Sequence, residues 1–137
     1  MHNSLLVVED DVDQLEVLKL FLTRSGYDVV GVPHPQDALD AACDREFQVV
    51  ILDQWLPEME GLELMQRLRM LLDNAQYIVI TGDDHLVDEA KKAGAFACLL
   101  KPYRLSLIET VIEEALERRV NHIPQRAEDT ATVSLTH

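Results

Sequence analysis

Short runs of consecutive apolar residues alternate along the chain with longer stretches in which apolar residues recur every three or four positions. Such switching is the signature of strands and helices taking turns around a parallel sheet, and it predicts five of each. The run "SLLVVE" makes the first strand. Asp11 and Gln14 then give an Asp-x-x-Gln start signal for a helix that carries Val12, Leu15, Leu18 and Leu22 on one face and stops at Gly26. "YDVVGV" is the second strand, and Pro35 opens a second helix with Ala38, Leu39, Ala41 and Ala42 facing inward. "FQVVILD" is nearly all apolar, as a central strand covered on both faces must be, and it ends at Asp53.

Pro57 and Gly61 lead into a third helix carrying Leu62, Met65, Leu68 and Leu72. "YIVIT" follows as strand four, then a short helix ending near Gly94, then "FACLL" as strand five. Ser106 and Glu109 read as a capping box for the last helix, whose Ile108, Val111, Ile112 and Ala115 form one stripe. From about His122 the periodicity fades, so residues 1–121 are expected to form a single domain and 122–137 a flexible tail. No internal repeat is present.

A chain of 137 residues is long enough to bury a core without disulfides or a structural metal. Its 25 acidic and 12 basic residues leave a net charge of −13, which opposes direct binding to a nucleic-acid backbone or an anionic membrane surface. Cys43 and Cys98 form no Cys-x-x-Cys pair, and neither a secretory leader nor a long apolar span occurs. These features point to a reduced, cytoplasmic setting without membrane insertion.

The candidate chemistry lies at the strand ends. In an open parallel sheet ligands collect at the carboxyl edge, beside the point where strand order reverses. There the first strand ends in Glu9-Asp10-Asp11, the third in Asp53, the fourth in Thr81 and the fifth in Lys101-Pro102. Each residue alone has an ordinary structural explanation: Asp11 as a helix cap, Asp53 as a solvated strand end, Thr81 as a β-branched strand residue, Lys101 as a surface charge. Their convergence on one rim is harder to explain that way. Clustered carboxylates call for a cation or for raised pKa values, and an oxygen-only set suits Mg2+ better than zinc. Lys101 would supply charge and Thr81 a hydroxyl to a phosphoryl group, for which Gly82 leaves room, so the inventory favours phosphoryl transfer onto Asp53.

On these residues the chain resembles the receiver domains of two-component response regulators, from residue 3 to about 120. "LLVVEDD" is similar to that family's first strand and acidic pair, "VVILDQWLPEMEG" to its phosphoacceptor strand and loop, "IVITG" to its switch-hydroxyl strand and "LLKPY" to its Lys-Pro turn. The resemblance implies a flavodoxin-like (βα)5 fold, doubly wound, with strand order 2-1-3-4-5. It implies that Asp53 accepts a phosphoryl group from a phosphohistidine of a sensor histidine kinase or phosphotransfer protein. It further implies Mg2+ held by Asp10, Asp53 and the backbone carbonyl of Trp55, with Glu9 acting through water, and Thr81 and Lys101 contacting the phosphoryl group. The signal would then pass by protein contact to a downstream protein or output domain. Trp55 and Asp83 stand where they would modulate the lifetime of the phosphorylated form.

Two departures accompany the resemblance. Cys98 stands where receivers usually carry the aromatic ring of their switch, and the segment from Thr81 to Gly94 is short, so the fourth helix is expected to be short or displaced. These departures define an alternative, a receiver-like binding module that signals without phosphorylation. A phosphatase of the haloacid-dehalogenase-like class would need a second Asp two residues after the nucleophile, where Trp55 stands.

Overall fold

The computed structural model describes residues 3–121. Along the chain come β1 (Ser4–Val8), α1 (Val12–Arg24), β2 (Asp28–Val32), α2 (Pro35–Asp44), β3 (Val49–Asp53) and α3 (Gly61–Leu71). There follow β4 (Gln76–Thr81), a 3-10 turn (Asp84–Leu86), α4 (Val87–Lys92), β5 (Ala97–Leu100) and α5 (Leu105–Asn121). The strands pair in parallel in the order β2-β1-β3-β4-β5, the doubly wound, flavodoxin-like arrangement expected. Residues 122–137, expected to be a flexible tail, lie outside the described residues.

Side chains alternate across each central strand and so feed two separate cores. Leu6, Val8, Val50, Leu52 and Val79 pack with Ala38 and Ala42 of α2 and with Leu64, Met65 and Leu68 of α3. On the opposite face Leu5, Val7, Val49, Ile51, Ile78 and Ile80 meet Leu15, Leu18 and Leu22 of α1 and Ile108, Val111, Ile112 and Ala115 of α5. β1, β3 and β4 are covered on both sides, which is why their sequences read as continuous apolar runs.

Helix starts follow local chemistry in part. The Asp11 carboxylate accepts from the Gln14 N–H at 3.1 Å, and the Gln14 amide donates back to it at 3.3 Å. Pro35 occupies the first turn of α2. Two expectations need correction. Val12 is 64% exposed, because the first turn of α1 overhangs the carboxyl edge of the sheet, beyond the strands that cover Leu15 and Leu18. Ser106 is no N-cap: α5 begins at Leu105, with the Arg104 carbonyl accepting from Leu107 and Ile108. Leu105 packs against the core beneath the helix, and that contact draws the helix start ahead of the Ser106–Glu109 pair.

The fourth helix is short, as expected, and its trailing end is fastened to α3. The Ala93 carbonyl accepts from Gln66 Nε2 at 2.9 Å and from Arg69 Nη1 at 2.7 Å. Gly94 follows at φ +114°, which is the reason for glycine at this corner; a Cβ there would only push against the movable Arg69 guanidinium.

Candidate functional site

The carboxyl edge of the sheet gathers the residues singled out in the sequence. The β3–β4 register sets Asp53 opposite Ile80, one step before Thr81, while the Lys101 N–H donates to the Thr81 carbonyl at 2.8 Å and carries the chain past the end of β5. From there Lys101 Nζ reaches Asp53 Oδ2 at 2.8 Å and Glu9 Oε1 at 3.5 Å. Glu9 and Asp53 are each only 5% exposed, so the ammonium is the positive charge that makes two buried carboxylates tolerable there. Asp10 lies in the open beside them.

The electrostatics reflect this crowding. Burial pushes the Glu9 carboxyl up to about 7; the Asp11 N–H and Lys101 oppose the rise, and the Asp53 charge adds to it. Burial pulls the Lys101 ammonium downward, but hydrogen bonding and charge from Asp53 and Glu9 outweigh it and leave its pKa above the ordinary lysine value. Carboxylate oxygens of Glu9, Asp10 and Asp53 lie within 4.8 Å of one another. A hard, oxygen-seeking divalent cation fits this donor set.

Thr81 is fully buried, and its Oγ1 accepts from the Asp83 N–H at 3.1 Å. The Asp83 carboxylate in turn accepts from the His85 N–H at 2.9 Å and so caps the 3-10 turn. Space is open over Gly82, where a Cβ would meet nothing within 4 Å. Cys98 lies on β5 opposite Val79, partly buried against the α3 side of the sheet, and burial raises its thiol pKa.

The loop after Asp53 explains the Pro and Gly that follow the strand. The Met59 N–H donates to the Pro57 carbonyl at 2.8 Å across Glu58, whose φ of 72° lies in the left-handed region, a tight γ-turn that costs backbone strain. Gly61 returns the chain against the end of β3: a Cβ there would strike the Asp53 carbonyl and stand 2.8 Å from Gln54 Cα. At the start of the loop the Trp55 N–H stands 3.4 Å from Asp53 Oδ1, and the indole is 53% exposed.

Two residues of this rim escaped the sequence reading. Gln54 is a polar side chain only 1% exposed, and its one sequence cue is its place directly after a buried strand. Tyr103 lies past Lys101-Pro102, packed against the α5-side core, and its phenol pKa is raised by burial and by Glu9 and Asp53. Lys101, Pro102 and Tyr103 also line a cleft of about 630 Å3 whose other wall is Asp13, Gln14, Val17 and Leu18 of α1.

Residues 5–113 match the family described as the response regulator receiver domain. The chain belongs to that family. A receiver domain protein from Methanospirillum hungatei JF-1, described as CheY-like, superposes with a TM-score of 0.83 at 28% identity, covering 90% of this chain and all of that one. Sporulation initiation phosphotransferase F of Bacillus subtilis is 25% identical over 88% of this receiver chain and 99% of its own length. The transcriptional regulatory protein FixJ of Rhizobium meliloti is 35% identical over 85% of this chain. The chain spans only 56% of FixJ, and 30% of the phosphoglycerate transport regulator PgtA of Salmonella typhimurium. Among the described residues no helix is long and apolar enough to cross a membrane.

Proposed function

We propose that this receiver domain accepts a phosphoryl group onto Asp53 from the phosphohistidine of a sensor histidine kinase or phosphotransfer protein, in the cytoplasm, and signals through contact with a downstream protein or output domain. The observation that carries the reading is the buried carboxylate of Asp53 held at 2.8 Å by Lys101 and backed by Glu9, at the edge of the sheet where a phosphoryl group can approach over Gly82. The family membership and the near end-to-end match to a protein named as a phosphotransferase support it.

In the reaction an Asp53 carboxylate oxygen forms a bond to phosphorus as the phosphorus–nitrogen bond of the donor breaks, and the imidazole leaves with the bonding electron pair. Lys101 holds the acceptor carboxylate before transfer and afterwards offers its ammonium to a phosphoryl oxygen. Thr81 receives the Asp83 N–H on its oxygen, which leaves the hydroxyl hydrogen to donate to the phosphoryl group. Asp10, Asp53 and the backbone carbonyl of Trp55, with Glu9 behind them, are the groups that would hold Mg2+. When bound there, Mg2+ would offset the repulsion between these carboxylates and the incoming phosphoryl oxygens. The cleft beside Lys101, with the exposed Val17 of α1 in its wall, would give the donor an apolar surface beside the acceptor.

The test is to incubate the protein with Mg2+ and a small phosphodonor and to locate the modification by mass spectrometry. One phosphoryl group on Asp53 is expected, and none on Asp53→Asn. Undiminished labelling of that variant would overturn the assignment to Asp53, and a wild-type protein that takes up no label would restore the phosphorylation-independent reading.

A further inference from the structure

The geometry points to Gln54 as a positioning residue: its side chain closes the loop at 55–60 and thereby fixes the Trp55 backbone that the proposed cation site uses, an inference that rests on the Mg2+ site proposed above. Gln54, at the start of that loop, is bonded both to β4 and to the loop's far end. Its backbone N–H donates to Ile80 on β4 at 2.8 Å, and its carbonyl accepts from the Gly61 N–H at 2.7 Å. Its side chain adds two more, since Oε1 accepts from the Leu62 N–H at 2.9 Å and Nε2 donates to Glu60 Oε1 at 3.1 Å.

The second pair is the unusual part. A helix leaves its first N–H groups without partners, and the residue before it ordinarily supplies a side-chain oxygen. α3 is preceded by Glu60, which makes no side-chain cap bond. The oxygen comes instead from Gln54, on the far side of the loop, while Glu60 turns to accept from the Gln54 amide. One side chain thus caps the helix and ties the start of the loop to its end. With the Gln54 side chain buried and committed at both its oxygen and its nitrogen, the peptide unit between Gln54 and Trp55 has little freedom to rotate. That unit contains the Trp55 N–H, which faces Asp53 Oδ1, and leads through Trp55 Cα to the Trp55 carbonyl. The strained turn at Glu58 lies inside the closed loop, where it needs such a closure to persist.

Gln54→Leu keeps the approximate volume, removes both side-chain bonds and leaves the part-buried Leu62 N–H without its protein partner. The metal-free protein is compared first, by hydrogen exchange. The amides of Trp55, Met59, Gly61 and Leu62, each hydrogen-bonded in this loop, are expected to exchange at least ten-fold faster in the variant, with those of β1 and β3 slowed or sped no more than the global stability dictates. Mg2+ alone is then titrated well below the melting temperature, followed by the fluorescence of Trp55, the single tryptophan in the chain. Loss of a group that orients a metal ligand typically weakens affinity about 10-fold or more, and that loss is expected here. Gln54→Glu combined with Glu60→Gln exchanges donor and acceptor, rebuilds both bonds, and is expected to restore exchange and Mg2+ affinity, which a merely space-filling role would not do. Wild-type exchange at 55–62 in Gln54→Leu overturns the inference, as does an exchange defect that the swapped pair leaves unrepaired. Should the wild-type protein bind no Mg2+, the cation site fails while the exchange comparison still decides what Gln54 does.

Discussion

Lys101 Nζ stands 2.8 Å from Asp53 Oδ2 and 3.5 Å from Glu9 Oε1, so a single ammonium holds together two carboxylates that would otherwise face each other out of water. The site is therefore assembled around one positive charge, the same charge that the proposed phosphoryl transfer would use.

Lys101→Met should remove that charge and leave an unpaired buried acid pair. The expected cost is about 2 kcal/mol of stability at pH 8, below the usual figure for a broken buried pair because the lysine is partly solvated. At pH 5, with Glu9 protonated, the cost should shrink. Urea denaturation at the two pH values measures both, and an equal loss at each would contradict the arrangement.

Glu9 sets the sign of a pH effect on cation binding. Its folded pKa of about 7 lies above the 4.5 of the free side chain, so its contribution to stability is fully present below about 4.5 and is lost as pH rises through 7. The loss in the metal-free protein is on the order of 3 kcal/mol. A cation needs the deprotonated form, so Mg2+ should raise the melting temperature little at pH 6 and clearly at pH 8. Calorimetric melts showing the same gain at both would remove Glu9 from the site.

Trp55→Asn should shorten the life of the phosphorylated form several-fold, equivalent to about 1 kcal/mol of barrier. The half-exposed indole begins at a backbone N–H 3.4 Å from the acceptor, where its bulk can cover the in-line path of an attacking water and a small amide could orient that water instead. Loss of label over time, compared with Asp83→Ala, provides the measurement. An unchanged or longer lifetime would leave Trp55 as a packing or docking residue.

Gly61→Ala places a methyl group against backbone atoms of Asp53 and Gln54, which cannot swing aside as a flexible side chain would. About 1–3 kcal/mol of destabilisation is expected, by analogy with overpacked cores, together with weaker Mg2+ binding as the loop lifts away. Gly82→Ala, at an open position, should be close to neutral. Equal stability of the two variants in urea would refute the close-approach account.

The sequence made the sheet and its rim legible because both follow from local pattern. Continuous apolar runs marked β1, β3 and β4, and the polar residue ending each run landed on the same edge by topology alone. What it concealed depends on contacts between distant segments. Val12 keeps helical phase with Leu15, but phase says nothing about whether a strand lies beneath it. Ser106 and Glu109 have capping-box spacing, yet the packing of Leu105 decided where α5 begins. Gln54 looked like an ordinary polar residue after a strand because its partners, Glu60 and Leu62, come near only once the γ-turn and Gly61 have folded the chain back.

The fastening of α4 has a mechanical result. Its trailing end is pinned at Ala93 by Gln66 and Arg69, whereas its leading end connects through the 3-10 turn to Asp83 and Thr81. A body held at one end and pushed at the other swings rather than slides. With six residues the arm is only about 9 Å long, so an ångström of travel at the hydroxyl would tilt it by several degrees, with the displacement largest at the Asp84–His85 end and vanishing at the pivot.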